Sequence, residues 1–283
     1  KDSQRFLLQQ ASSEQIVSAV HSITASLPCF EIPCSLEHFG GSIGNIQLLS
    51  SKPDQIVFTK FLNATQVLFE SSFEQKEDPH PIANNVVAFA SKGNDVFWLD
   101  RDGTLWQRDL ASDAQPSIFQ ESTFTPQTEI LYDLFVADNS ILLKEDTALF
   151  LHEKGSVERR EILSPALEVL LSPKGDKAAI RNNSELWILF LKEETEQPPR
   201  IAGELSLLTR FSSPIQNLSW IDSSYLLFSL ENTIRAAEID NRERLNVVDI
   251  AESLDPELFW NNEKGTLYVF TEGAFSVSEK LVK

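Results

Sequence analysis

Residues 167–191, LEVLLSPKGDKAAIRNNSELWILFL, restrict what this chain can fold into more than any other stretch. Three apolar runs are separated by two short turns, SPKGD and RNNS. Pro173 presets a turn dihedral, Gly175 admits a positive φ, and Asp176 can bond its own backbone; the Asn-Asn-Ser group marks the second turn in the same way. Three short strands in about 25 residues make up most of one antiparallel four-stranded sheet.

The same grammar recurs along the chain. Taking the turn between the first two strands as the anchor, units centre on Ser12, Ser51, Ser91, Asp138, Ser172, Asp222 and Asn262. These anchors lie 39, 40, 47, 34, 50 and 40 residues apart. That scatter surrounds the period of roughly 40–45 residues of a four-stranded propeller blade. A weaker fourth strand follows in most units, at SIF from 117, VERREIL from 157, LSLLTRF from 205 and LNVVDI from 245. Unit seven ends at AFSVSEKLVK, which leaves room for three strands and a stub. The charged segment KEETEQPPRIAGE, 192–204, reads as an exposed excursion between strands three and four of unit five.

The expected fold is therefore all-β: a β-propeller of seven blades of mostly four antiparallel strands, as a single domain over 1–283. A rival reading exists for residues 12–27. Ser12 and Gln15 resemble a capping box, and Ile16, Val20, Ile23 and Leu27 share one helical face. A helix there leaves six blades. The match of SSEQIVSAV to SKPDQIVFT favours seven. Trp106 and Trp187 fall at one equivalent position, and Trp220 and Trp260 at another, so all four are expected in the core between blades.

Lys and Arg number 24 against 42 Asp and Glu, a net charge of −18. Such a surface repels phosphate backbones and anionic lipids. No nucleic-acid partner is expected. The nearest approaches to a basic patch are Arg159/Arg160 and Arg242/Arg244. No apolar run reaches 18 residues, so no membrane insertion is expected within this segment. Cys29 and Cys34 allow either a disulfide or two thiols, and the sequence leaves both open.

Chemistry is sparse. GGSIG, 40–44, matches the G-x-S-x-G nucleophile pattern at Ser42, but a strand-like NIQLL follows where that elbow needs a helix. His21, His38, His80 and His152 fall in different units. LDRDG, 99–103, resembles the start of a calcium loop but lacks the later ligands, so Asp102-Gly103 reads as a hairpin turn. The triplets at Asn63, Asn182 and Asn217 read as coincidental glycosylation patterns. No catalytic, cofactor-binding or metal residue is assigned, and no cofactor is expected.

LLSPKGDKAAIRNNSELWILFL resembles the WD-like propeller repeats of bacterial surface and periplasmic proteins. EQPPRIAGELSLLTRFSSPIQNLSWIDSSYLLFSL, AEIDNRERLNVVDIAE and LYVFTEGAFSVSEKL resemble the C-terminal propeller region of PEGA-domain proteins from candidate-phyla-radiation bacteria. The resemblance covers 167–283, thins over 85–166 and is only repeat-level before that. It implies an extracytoplasmic envelope protein, with the membrane anchor and PEGA domain upstream. The usual SPDG turn is replaced here by SPKG, SKPD, SKGN and DSSY.

The expectation is a non-catalytic interaction module of a bacterial envelope protein, binding an unknown protein or glycan partner through blade loops. The alternative is a carbohydrate-acting hydrolase or lyase using Asp and Glu at an axial channel.

Overall fold

The computed structural model describes residues 4–12, 15–23, 34–35, 43–49, 52–72, 78–121, 124–154, 156, 158–195, 198–240, 245–261, 264–271 and 274–281. No helix occurs among them, and the strands form seven antiparallel sheets. The chain divides into two compact units, 1–136 and 137–283.

The first unit begins with β1 (Gln4–Ser12), β2 (Gln15–Ile23) and β3 (Cys34–Ser35), a three-stranded sheet. Gln15–Ile23 is thus a strand in register with β1, not the helix of the rival reading. The second sheet is β4 (Ile43–Leu49), β5 (Lys52–Leu62), β6 (Thr65–Ser72) and β7 (His80–Ala83). The third is β8 (Val86–Lys92), β9 (Asp95–Asp100), β10 (Leu105–Asp109) and β11 (Ser117–Gln120). These two sheets pack face to face through Leu49, Val57, Leu68, Phe89, Val96 and Trp98. Gln47 bridges them: its amide donates to Phe89 O at 3.2 Å and accepts from Ser91 N at 2.8 Å.

β12 (Tyr132–Val136) precedes β13 (Ser140–Glu145), β14 (Ala148–Glu153) and β15 (Arg159–Leu163) in the fourth sheet's order. The fifth sheet is β16 (Glu168–Leu171), β17 (Lys177–Arg181), β18 (Glu185–Phe190) and β19 (Leu205–Arg210). The sixth is β20 (Ile215–Trp220), β21 (Tyr225–Leu230), β22 (Thr233–Glu238) and β23 (Val247–Glu252). The last has three strands, β24 (Glu257–Asn261), β25 (Thr266–Thr271) and β26 (Ala274–Val277). The seven sequence units and their strand boundaries correspond to these sheets.

Neighbouring sheets of the second unit are joined in two ways. One cluster, with Leu186, Ile188, Leu218, Trp220 and Phe228, lies between the fifth and sixth sheets. Another, with Ile221, Leu227, Trp260 and Leu267, lies between the sixth and seventh. Single polar links add direction. Trp220 Nε1 donates to Leu170 O at 3.0 Å, and Asn217 Nδ2 donates to Pro256 O at 2.5 Å. Arg160 Nη2 donates to Gly203 O at 2.8 Å, joining the fourth sheet to the fifth.

A bulge recurs where the third strand meets the fourth in every four-stranded sheet. It falls between Leu68/Phe69, Leu105/Trp106, Leu149/Phe150, Leu186/Trp187 and Ile234/Arg235. Residues before it are buried, at 0–6% exposure. Bulges raise local twist, which turns the outer strand away from its neighbour and suits a strand lying at a rim. Trp187 and Trp106 follow a buried Leu at equivalent places, and both are half-buried; Trp106 packs against the edge of the cluster between the second and third sheets, so the expectation of full burial is corrected for both. Their indoles lie beside the 2–3 hairpin turn, where Trp106 Nε1 donates to Asp100 Oδ2 at 2.7 Å and Trp187 Nε1 to Glu185 Oε2 at 3.2 Å. Trp220 and Trp260, 6% and 7% exposed, are the core residues expected.

β26 is the outermost strand of the last sheet, and all four of its residues are exposed, Phe275 and Val277 included. β18 lies inside its sheet with most side chains buried. The amides of 274–281 should therefore exchange with solvent faster than those of 185–190 in one hydrogen-exchange experiment. Equal or slower exchange at 274–281 would show that something covers this edge.

Candidate functional site

A cleft of about 530 Å³ opens between the fifth and sixth sheets, at the end where strands one and two turn. The turn after β16 makes one wall. Ser172 Oγ donates to Asp176 Oδ1 at 2.6 Å and accepts from Lys177 N at 3.1 Å. Gly175 there has φ +66°, the left-handed geometry that a residue with Cβ adopts with strain. This turn aims Asp176 and Lys177 into the cleft.

The 192–204 excursion makes the rim. It lies between β18 and β19, where the sequence placed an exposed excursion, and forms a small hairpin: Glu194 and Arg200 exchange both backbone hydrogen bonds at 2.9 Å. Gly203 closes it, with φ +79° and its amide donating to Phe190 O at 2.6 Å. The sixth sheet supplies the facing wall. Asp222 Oδ1 accepts from Ser224 N at 2.6 Å and Tyr225 N at 3.0 Å, shaping the β20–β21 turn, and β22 ends at Glu238, with Ile239 and Asp240 beyond it along the cleft.

Lys177 is only 6% exposed, and its ammonium is shared between Asp176 at 3.2 Å and Glu194. Burial alone would lower its pKa, but the bond to Glu194 and the charge of Asp176 outweigh it and hold the amine above its ordinary value. Burial alone would raise Asp176, yet the Ser172 hydroxyl and the Lys177 ammonium hold that carboxyl below its usual range. Arg200 pairs with Glu204 at 2.5 Å, and its bond lowers the Glu204 pKa. The Phe190 ring lies under both cations, with Arg200 Cζ at 5.1 Å and Lys177 Nζ at 5.9 Å from its centre.

The residues weighed from sequence lie elsewhere. Ser42, His38, Cys29, Arg242 and Arg244 are outside the described residues, and of Cys34 the structure shows a strand position only. Asp102-Gly103 is a hairpin turn: Asp100 Oδ1 accepts from Asp102 N and Thr104 N, both at 2.9 Å, and Gly103 has φ +85°. Arg159 pairs with Glu145 and Arg160 with Gly203, so both guanidinium groups serve internal contacts. His80 is exposed in β7, and His152 is buried in β14. Asn182 and Asn217 spend their amides on turn and inter-sheet bonds; Asn63 is exposed at the β5–β6 turn with φ +48°. Sequence reading placed the excursion and the SPKGD turn correctly. It did not join them into a cleft, because nothing in either stretch names its neighbour across the sheets.

No family model and no curated protein matches the chain. Solved structures do. Hsv2 of Kluyveromyces lactis superposes with a TM-score of 0.57 at 10% identity, covering 85% of this chain and 75% of that one. The β-propeller domain of Cps50 (Swd1) from Myceliophteria thermophila gives 0.50 at 11% identity, covering 86% and 88%. The fold is a β-propeller. The extracellular domain of the putative one component system BT4673 from B. thetaiotaomicron gives 0.52 at 12% identity, over 96% of this chain and 38% of that one. At such identities the likeness is one of fold. The propeller here carries six to seven blades, each a sheet of three or four antiparallel strands.

Proposed function

We propose that this propeller is a non-catalytic interaction module, and that the cleft between its fifth and sixth sheets holds part of a protein or glycan partner. The charge state of the cleft carries this reading. General acid or base catalysis at neutral pH needs a group that titrates nearby. Asp176 is held ionised below its usual range and Lys177 protonated above its own, each by the other and by a further partner. Charges pinned in pairs suit recognition by shape and complementarity better than proton transfer. The resemblance over 167–283 adds a setting: an anchored bacterial envelope protein that displays the module outside the membrane.

Immobilised chain should retain a partner from solubilised bacterial envelope. Reversing the exposed rim charges, Lys174→Glu with Glu193→Lys, should release it. In parallel, cell-wall glycan incubated with the chain should show no new reducing ends. New reducing ends, or equal retention by the reversed variant, would overturn the proposal.

A further inference from the structure

We propose that Asn63, in the turn between β5 and β6, is a modification site that carries an N-linked glycan, with the Phe61 ring covered by the first sugar. This goes beyond the cleft and rests only on the extracytoplasmic setting proposed for the chain. An Asn-x-Ser/Thr triplet is the acceptor pattern for such a glycan, and it belongs to surface positions of proteins that leave the cytoplasm. Sequence alone offers three triplets, starting at Asn63, Asn182 and Asn217, and no ground for separating any of them from coincidence. The structure separates them. Asn182 Nδ2 donates to Glu185 Oε2 at 2.5 Å, and its Oδ1 accepts from Ser184 N and Glu185 N. Asn217 Nδ2 donates to Ser229 Oγ at 3.1 Å and to Pro256 O at 2.5 Å, between the sixth and seventh sheets. A glycan on either nitrogen would displace those bonds.

Asn63 is presented instead. β5 and β6 pair up to Leu62 and Thr65, so Asn63 and Ala64 alone make the turn. Both have positive φ, +48° and +65°, as a two-residue type I′ hairpin needs, and both are exposed. The Asn63 side chain makes no hydrogen bond among the described residues, so its nitrogen is unspent. Thr65, whose hydroxyl completes the triplet, donates to Leu62 O at 3.1 Å and retains its acceptor lone pairs. A second, independent observation lies beside it. Phe61 is 61% exposed and Leu62 38%, a large apolar surface at the end of a strand whose Ile56, Val57 and Phe58 are fully buried. The Cα atoms of Phe61 and Asn63 are at most about 7 Å apart. The C–H face of a sugar on the Asn63 nitrogen can therefore lie against the phenyl ring and remove apolar area from water. In the transfer step the Asn63 nitrogen attacks C1 of a sugar carried on a polyprenyl diphosphate. The N–C1 bond forms as the C1–O bond breaks. The lipid diphosphate leaves with that electron pair, and a base of the transferring enzyme takes the amide proton.

Trypsin places the three triplets in separate peptides, 61–76, 182–192 and 211–235. The test takes the full chain from the cells that make it and, in parallel, the full chain secreted from a host with an oligosaccharyltransferase. Mass spectrometry reads the sugar added to each peptide. In the folded chain, Asn63 should be occupied about tenfold more than Asn182 or Asn217. In the secreting host, Asn63→Asp, which tolerates the same positive φ, and Thr65→Ala should abolish the sugar on 61–76, and Thr65→Ser should restore it in part. Enzymatic removal of the glycan should lower the melting temperature by about 2 °C, and in Phe61→Ser it should leave the melting temperature unchanged. No sugar on 61–76 of the chain from its own envelope overturns the inference, as does sugar spread evenly over the three peptides or sugar that persists in Thr65→Ala. An equal drop in melting temperature with and without Phe61 overturns the stacking. A chain recovered from the cytosol of its own cells overturns the setting, and the glycan with it. Partner capture by the immobilised, unglycosylated chain is a separate measurement, so the module reading stands or falls independently.

Discussion

Trp220→Ala should destabilise the protein by about 3–5 kcal/mol, the range for large aromatic truncation in a core. Trp220 is 6% exposed and packs with Leu186, Ile188, Leu218 and Phe228 between the fifth and sixth sheets. It also holds those sheets in one relation, since its indole N–H reaches Leu170 O at 3.0 Å. The two contributions can be separated. Trp220→Phe keeps most of the ring and loses the hydrogen bond to Leu170 O, and should cost about 1–3 kcal/mol. Chemical denaturation of both variants checks this. A loss below about 1 kcal/mol for Trp220→Ala would mean that the two sheets are held together elsewhere.

Acid should weaken the fold through His152 before the carboxylates contribute. The imidazole is 8% exposed, Nε2 has no hydrogen-bond partner among the described residues, and burial together with the Arg159 guanidinium lowers its pKa from 6.5 to about 4. In the unfolded chain it protonates near pH 6.5. Between those values the unfolded state binds the extra proton, so stability falls as pH drops from 6.5 to 4 and is complete above 6.5. The shift corresponds to a loss of about 2 kcal/mol after allowing for partial solvation. His152→Leu cannot take up the proton and has no partnered Nε2 to lose, so its stability should be flatter over that window. Asp176 and Glu204, whose pKa values are lowered, contribute stability that disappears further into acid, in both proteins alike. The difference between the two pH profiles isolates the histidine. Parallel profiles from pH 6.5 to 4 would show that His152 is solvated or paired in solution.

The strand grammar was legible because it is local. SPKGD and RNNS carry their turn chemistry in their own residues: Ser172 and Asp176 bond within one turn, and Asn182 caps Ser184 and Glu185 within the next. Period-2 burial in β12 follows from alternating side chains and needs no neighbour to be read. Hence the units, their anchors, the polar outer strands and the three-stranded last sheet were all determined by sequence alone.

What lies between sheets was not. Trp187 lies between Leu186 and Ile188 and Trp220 between Ser219 and Ile221, yet the one with two apolar neighbours is half-buried beside its own turn and the other fills an inter-sheet core. Trp187 lies on the third strand of its sheet, at a bulge, and Trp220 on the first strand of the next, against the cluster between the two sheets; pairing and packing set both places. The cleft is decided in the same way. Lys177 looks like a surface lysine in sequence, but tertiary packing buries it and gives it two carboxylates, one from its own turn and one 17 residues on in the excursion. Glu238 and Ser223 join it from the next sheet, 61 and 46 residues away. The sequence determined which strands form and in what order. Only the face-to-face packing of neighbouring sheets decided which charges meet and which stay unpaired, because that packing sets distances that no local pattern encodes.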